Sequence, residues 1–165
     1  MATKGLGDLF METLQDVYYA EQEILGSLHE MESAADSERL RNAFAQHRGE
    51  TEGQIARLEQ VFRLLGAEPT TKRCDGIEGI LKEARGALRE FGGSPAGDAA
   101  LISSAQAVEH YEITRYGTLR RWAYLLGLDQ AAQLLGETLA EESSTDDLLT
   151  DIADAMANVK AATVD

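Results

Sequence analysis

The stretch "VEHYEITRYG", residues 108–117, decides how this sequence is read. Val108, Glu112, Tyr116 and Leu119 recur every three or four residues, which lines one face of a helix with a 3.6-residue repeat. Glu109 lies beside that face, three residues before Glu112. A helix that turns two carboxylates toward its neighbours incurs a cost of several kcal/mol for each one left buried without a partner. Such a helix is built to meet positive charge.

Working outward, the same stripe continues back through Ala105 and Leu101, and Gly127 stops the helix. The spacing predicts four long helices and a short one, at about 7–35, 38–66, 75–91, 98–126 and 130–159. Asp36-Ser37 reads as an N-cap pair and Gly66 as a C-terminal stop, so the first two helices are joined by a very short turn and lie antiparallel. Between residues 67 and 98 lie Pro69, the short helix and the linker "GGSPAGD". A helix of nearly thirty residues spans about 40 Å at 1.5 Å per residue, and this segment is long enough to return along that length. The second and third long helices therefore run parallel. The expected fold is all-α: one domain over 1–165, a ferritin-like four-helix bundle with a long crossover containing the short fifth helix.

At 165 residues with 44% apolar side chains, the chain fits one hydrophobic core, and two prolines leave long helices uninterrupted. Net charge is −14, from 29 acidic and 15 basic residues, which repels phosphate backbones and anionic lipid. Nucleic acid and membrane are set aside as partners. The single cysteine, Cys74, excludes an intrachain disulfide framework. The opening "MATKGLGDLF" lacks the apolar core of a signal peptide, and no run of about 18 apolar residues occurs. A cytoplasmic location is expected.

Each long helix interrupts its apolar stripe with acidic or polar residues near mid-length. In the first, Glu21 lies between Val17 and Ile24; in the second, His47, Glu50 and Gln54 follow one another on successive turns. The third carries Glu109 and Glu112. The fourth offers two adjacent stripes, Leu135-Leu139-Glu142-Asp146-Leu149 and Leu134-Thr138-Glu141-Thr145-Leu148, so Glu141 is an alternative to Glu142. If the first pair turns at residue 36 or 37, position i faces about 73 − i and Glu21 meets position 52, between Glu50 and Gln54. If the second pair turns near 128, Glu112 faces about 144, between Glu142 and Asp146, and Glu109 faces about 147, next to Asp146. "LQDVYYAE" (14–21) aligns with "AQAVEHYE" (105–112), matching Glu21 to Glu112.

No lysine or arginine occupies these stripes near mid-helix. Carboxyls converging at one level need either shared protons or bound cations, and bridging metals satisfy them more simply. The candidate metal ligands are Glu21, His47, Glu50, Gln54, Glu109, Glu112, Glu142 and Asp146, around two iron ions or, alternatively, manganese. His47 reads as a ligand or as a partner of one, and His110 as a partner residue or interface residue. The tyrosines Tyr18, Tyr19, Tyr111 and Tyr116 read as packing, with a phenol bonded to a ligand as the functional alternative. Glu137 lies off both stripes and is expected to be exposed.

The stretches "DLFMETLQDVYYAEQEIL" (8–25), "AFAQHRGETEGQIARLEQVF" (43–62), "AVEHYEITRYGTLRRWAYLLG" (107–127) and "LLGETLAEESSTDDLLTDIA" (134–153) resemble the YciF/YciE-type ferritin-like stress proteins across essentially the whole chain. The resemblance implies a ferritin-like bundle that forms a homodimer and carries a rubrerythrin-like di-metal centre in bacterial stress responses. By motif it points to Glu21, Glu50, Glu109, Glu112, Glu142 and Asp146 as the interior carboxylates. One departure stands out. Ferritins and rubrerythrins carry Glu-x-x-His on their second and fourth helices, whereas this chain has His47-x-x-Glu50 and no histidine on the fourth. That is a harder, more oxygen-rich donor set, which brings in manganese beside iron. Two functions are consistent with these residues: Fe(II) oxidation or peroxide reduction at the metals, or a non-catalytic dimer in which the metals are structural. In the second, the acidic surface, Trp122 and the short crossover helix meet a partner. No residue pattern identifies an electron donor.

Overall fold

Every long segment of helical periodicity is helical in the computed structural model, which describes residues 3–164; Met1, Ala2 and Asp165, at the ends of the expected 1–165 unit, lie outside the described residues. The helices are α1 (Leu6–Ala34), α2 (Glu38–Leu64), α3 (Asp75–Phe91), α4 (Gly97–Leu125) and α5 (Asp129–Ile152). A π-helical turn, Ala153–Ala157, and α6 (Asn158–Ala162) complete the chain's helices, and no strand occurs among the described residues. Among the described residues, no helix is long and apolar enough to cross a membrane.

The boundaries follow from local chemistry. Ser37 caps α2 by accepting a hydrogen bond from Leu40 N–H. At the ends of α2 and α4, Gly66 and Gly127 take positive φ of 66° and 72°. Their conformation lets Ala67 N–H reach Phe62 O and Leu128 N–H reach Ala123 O, at 3.0 and 2.9 Å, which satisfies carbonyls that the helix end would otherwise strand.

One buried side chain ties the topology together. The Asp98 carboxylate, at the start of α4, accepts from the backbone N–H groups of Asp36 and Ser37 at 2.8 and 2.9 Å. The start of α4 therefore lies beside the start of α2, and the two helices run parallel, as in ferritin-like bundles. α1 packs on α2 and α4, and α2 on α5. The crossover is held to α1 by Lys72 N–H donating to Gln15 O at 3.2 Å, and α3 then covers the groove between α1 and α4 with Ile77, Leu81 and Ala84. Asp98→Ala leaves two backbone donors in a half-buried turn without a partner. Its expected cost is about 1–3 kcal/mol, read as a lower urea midpoint at unchanged slope.

The last bundle helix departs from the single helix expected to about 159. The turn widens at Ala153–Ala157, in the run "ADAMA", where no Gly or Pro announces a break. One extra residue in the turn shifts the phase of the helix beyond it, so the buried stripe Leu149-Ile152 continues as Ala153 and Ala157.

The core is divided in two. One apolar half, near the α1–α2 turn, contains Ile24, Leu28, Leu40, Phe44, Leu101 and Ile152. The other contains Phe10, Leu14, Leu58, Phe62, Leu119 and Leu135. Full burial of such side chains is worth about 1.5–3 kcal/mol each, enough to hold a layer between the halves that packing alone would not favour. That layer consists of Glu21, His47, Thr51, Gln54, Glu109, Glu112, Thr138, Glu142 and Thr145, all buried.

Candidate metal centre

Four helices supply the layer. Glu21 comes from α1; His47 and Gln54 from α2; Glu109 and Glu112 from α4; Glu142 from α5. His47, Glu109, Glu112 and Glu142 each present one donor atom, and these four atoms lie within 4.8 Å of one another. His47 Nε2 is 3.1 Å from Glu109 Oε1 and 3.8 Å from Glu142 Oε2, at ion-pair distance but off the line of a hydrogen bond. Glu21 stands beside this group, with Oε1 accepting a hydrogen bond from the buried Tyr116 hydroxyl.

The layer is starved of partners. Among the described residues, the buried side-chain nitrogens and oxygens that lack a hydrogen bond all belong to it: Glu21 Oε2, both His47 nitrogens, Gln54 Oε1, Glu109 Oε2 and both oxygens of Glu112 and Glu142. No Lys or Arg nitrogen of the described residues pairs with Glu21, Glu109, Glu112 or Glu142; the half-buried Arg57 is engaged by Glu141 and Glu137. Buried polar atoms are almost always paired in native proteins. Converging oxygens with one imidazole, left bare in a dry layer, suit a hard or borderline divalent cation.

Protons take up the strain when no cation does. Burial, reinforced by the charges of Glu142, Glu21 and Glu109, holds the Glu112 carboxyl well above the usual carboxylate range. Burial likewise pushes Glu142 up to about 10, aided by Glu109 and opposed by His47. Glu21 is raised to about 7 by burial, against the Tyr116 hydrogen bond, which favours its charged form. For His47, burial favours the neutral ring, but Glu109, Glu50 and Glu142 together outweigh it and raise its pKa well above that of free imidazole. With no cation bound, the Glu112 and Glu142 carboxyls thus keep their protons near neutral pH, beside a His47 ring that also keeps its own.

Two of the residues expected in the centre sit at its edge. Glu50 is 28% exposed; Oε1 accepts from Gln46 at 2.9 Å and Oε2 lies 3.7 Å from His47 Nδ1. The inward position of that turn belongs to Thr51, whose hydroxyl donates to His47 O at 2.9 Å. Asp146 is the second. It is 19% exposed, pairs with His110 Nε2 at 3.3 Å and accepts from Gln106 Nε2 at 3.1 Å. The buried stripe of α5 is Leu135-Thr138-Glu142-Thr145-Leu149, which runs between the two stripes expected. Asp146 therefore falls on the flank facing α4, and Glu142 rather than Glu141 points inward. Glu137 is exposed, as is His110 at 69%.

The two helix hairpins can be compared through their cross-helix contacts. Between α4 and α5, residue 106 meets 150 and 110 meets 146, as a turn near 128 requires. Between α1 and α2, Tyr18 would face position 55 if the turn were symmetric, yet its hydroxyl donates to Glu59, four residues further on. Glu21 is bonded across to α4, where its Oε1 accepts from Tyr116. Thr51 and Arg57 carried no signal in the sequence; Thr138 and Thr145 stood in the alternative stripe.

The family model described as a domain of unknown function, DUF892, matches residues 5–162. Protein YciF of Escherichia coli K12 is 42% identical over 165 residues, spanning 98% of this chain and 98% of its own. The crystal structure of the E. coli stress protein YciF superposes with a TM-score of 0.87 at 41% identity, covering 92% of this chain and 96% of that one. The structure of YcfI from Rhodopseudomonas palustris gives the same score, 0.87, also at 41% identity, with 89% and 94% covered.

Proposed function

Because the chain belongs to the DUF892 family, alongside YciF, we propose that its buried layer holds two metal ions, iron or alternatively manganese, in a cytoplasmic protein of the bacterial stress response that oxidises Fe(II) or reduces peroxide. The observation that carries this reading is that, among the described residues, nine buried donor and acceptor atoms lack partners, all in one layer fed by four helices. Glu109, Glu112, Glu142 and His47 Nε2 would hold the ions, with Glu21 and Gln54 completing the donors and Glu50 at the rim. Metals bound there supply one-electron redox chemistry and a Lewis-acid centre for the oxidant.

The protein's own groups prepare that site. Tyr116 donates to one oxygen of Glu21 and leaves the other bare and aimed into the layer. The two apolar halves exclude water, which strengthens every charge interaction between them. Glu50 reaches both solvent and His47, so it offers a partly exposed carboxylate in contact with the layer. For protein loaded anaerobically with Fe(II), peroxide consumption with concurrent iron oxidation is expected. Two bound ions without any consumption of O2 or peroxide would remove the catalytic reading.

A specific feature favours a second reading, a metal-stapled homodimer without turnover. The donor atoms of the layer are sealed from solvent, which suits a structural ion as well as a protected reaction. Leu64, Tyr124, Leu125 and Leu126 are exposed near one end of the bundle, an apolar face for a second copy, while the net charge of −14 leaves the remaining surface acidic for a partner. Under this reading, ablating the metal lowers stability and dimer content and changes no reaction rate.

A further inference from the structure

Gln54, like Glu21, has one end of its side chain tied and the other bare. Its side chain is fully buried, its Nε2 donates to Glu141 Oε2 at 3.1 Å, and its Oε1 has no partner. Glu141 is itself clamped. Arg57 donates through Nη2 to Oε1 at 2.8 Å and through Nη1 to Oε2 at 3.0 Å, and Nη1 also donates to the buried Thr138 hydroxyl at 2.8 Å. A two-pronged guanidinium–carboxylate contact is rigid and strong for its size.

An amide has one donating end and one accepting end, and a carboxylate held by arginine accepts only. Turning the Gln54 amide over would press its carbonyl oxygen against the oxygens of Glu141. The orientation is therefore set from outside the layer. From these contacts we infer that Arg57 and Glu141 are positioning residues that lock the Gln54 carbonyl oxygen toward the proposed metal centre, where it serves as a neutral oxygen donor. The inference rests on that centre binding metal. Its chemical sense is that a further oxygen joins four interior glutamates without adding a fifth negative charge to a dry, already acidic site.

Mn(II) titration of the full-length protein, with affinity from calorimetry and ion content from elemental analysis, tests the arrangement. Gln54→Leu and Glu141→Ala are each expected to weaken Mn(II) binding by about 10–100-fold at unchanged ion content, the usual effect of removing an outer partner of a ligand. The double variant is expected to bind no more weakly than Gln54→Leu alone, because Glu141 acts through Gln54. Glu141→Gln retains an oxygen that accepts from Gln54 Nε2 and is expected to stay near the wild-type affinity. Losses that multiply in the double variant would overturn the inference, as would an unchanged affinity in Glu141→Ala. So would a Glu141→Gln defect equal to that of Ala, since charge rather than orientation would then be at work. Wild-type protein that takes up no Mn(II) or Fe(II) would overturn the metal centre itself, and the inference with it.

Discussion

Stripped of metal with a chelator, the protein is expected to lose stability as the pH rises from about 5 to about 9, the reverse of ordinary carboxylate behaviour. An unfolded glutamate releases its proton near pH 4.3, whereas folded Glu21 holds it to about 7, Glu142 to about 10, and Glu112 well above the usual range. The folded state thus binds more protons through this window, and each group in difference removes about 1.4 kcal/mol per pH unit. His47 acts in the same direction: its folded pKa is raised, so its contribution is complete below the free-imidazole value and fades as the pH passes its folded value. Metal binding inverts the trend, because ligands bind as carboxylates and neutral imidazole, and protons are released. With free metal at about 1,000 times its dissociation constant, each site adds about 4 kcal/mol, which is roughly 8–16 °C in Tm for a chain of this size. Thermal unfolding with chelator and with Mn(II), at three pH values across the window, should show a gap that widens with pH. A chelated protein whose Tm is flat or rises would mean that the layer is already neutralised.

The second large effect separates stability from purpose. Glu112→Leu with Glu142→Leu replaces two raised-pKa carboxyls, neither of which has a hydrogen-bond partner, by apolar groups of similar volume. Burial that lacks partners is costly for an ionisable group in either protonation state, and exchanging buried ionisable groups for well-packed hydrocarbon is commonly neutral or stabilising by about 1–4 kcal/mol. The chelated double variant is therefore expected to unfold at higher urea than chelated wild type at pH 8, while metal no longer shifts its midpoint. A loss of several kcal/mol instead would show that these carboxyls are structural members of the core, held by interactions other than metal.

The bundle was legible because its signals are local and redundant. Gly66 and Gly127 stop helices by a backbone conformation that favours glycine, and stripes of Leu, Ile, Val and Phe repeat along each long helix. Glu21, His47, Gln54, Glu109, Glu112 and Glu142 were legible for a related reason: each interrupts an apolar stripe, or in the case of Glu109 borders one, where burial makes a polar group expensive. Helical phase was less accessible. Glu50 and Thr51, or Thr145 and Asp146, differ by a single step, and only packing against the neighbouring helix decides which turns inward. Cross-helix partners such as Tyr18 to Glu59 depend on side-chain reach, which no periodicity encodes. Arg57 reads as a surface cation, yet the register of α2 on α5 brings it to Glu141. The π turn at Ala153–Ala157 lies in a run of ordinary helix formers, so the sequence carries no mark of it.

The most direct measurement is metal content per chain, by elemental analysis of protein loaded anaerobically with Fe(II) or Mn(II) and desalted, in wild type beside Glu112→Ala. Two ions in the wild type and none in the variant are expected. A wild type without metal, or equal content in the two proteins, would contradict a layer of glutamates kept for cations.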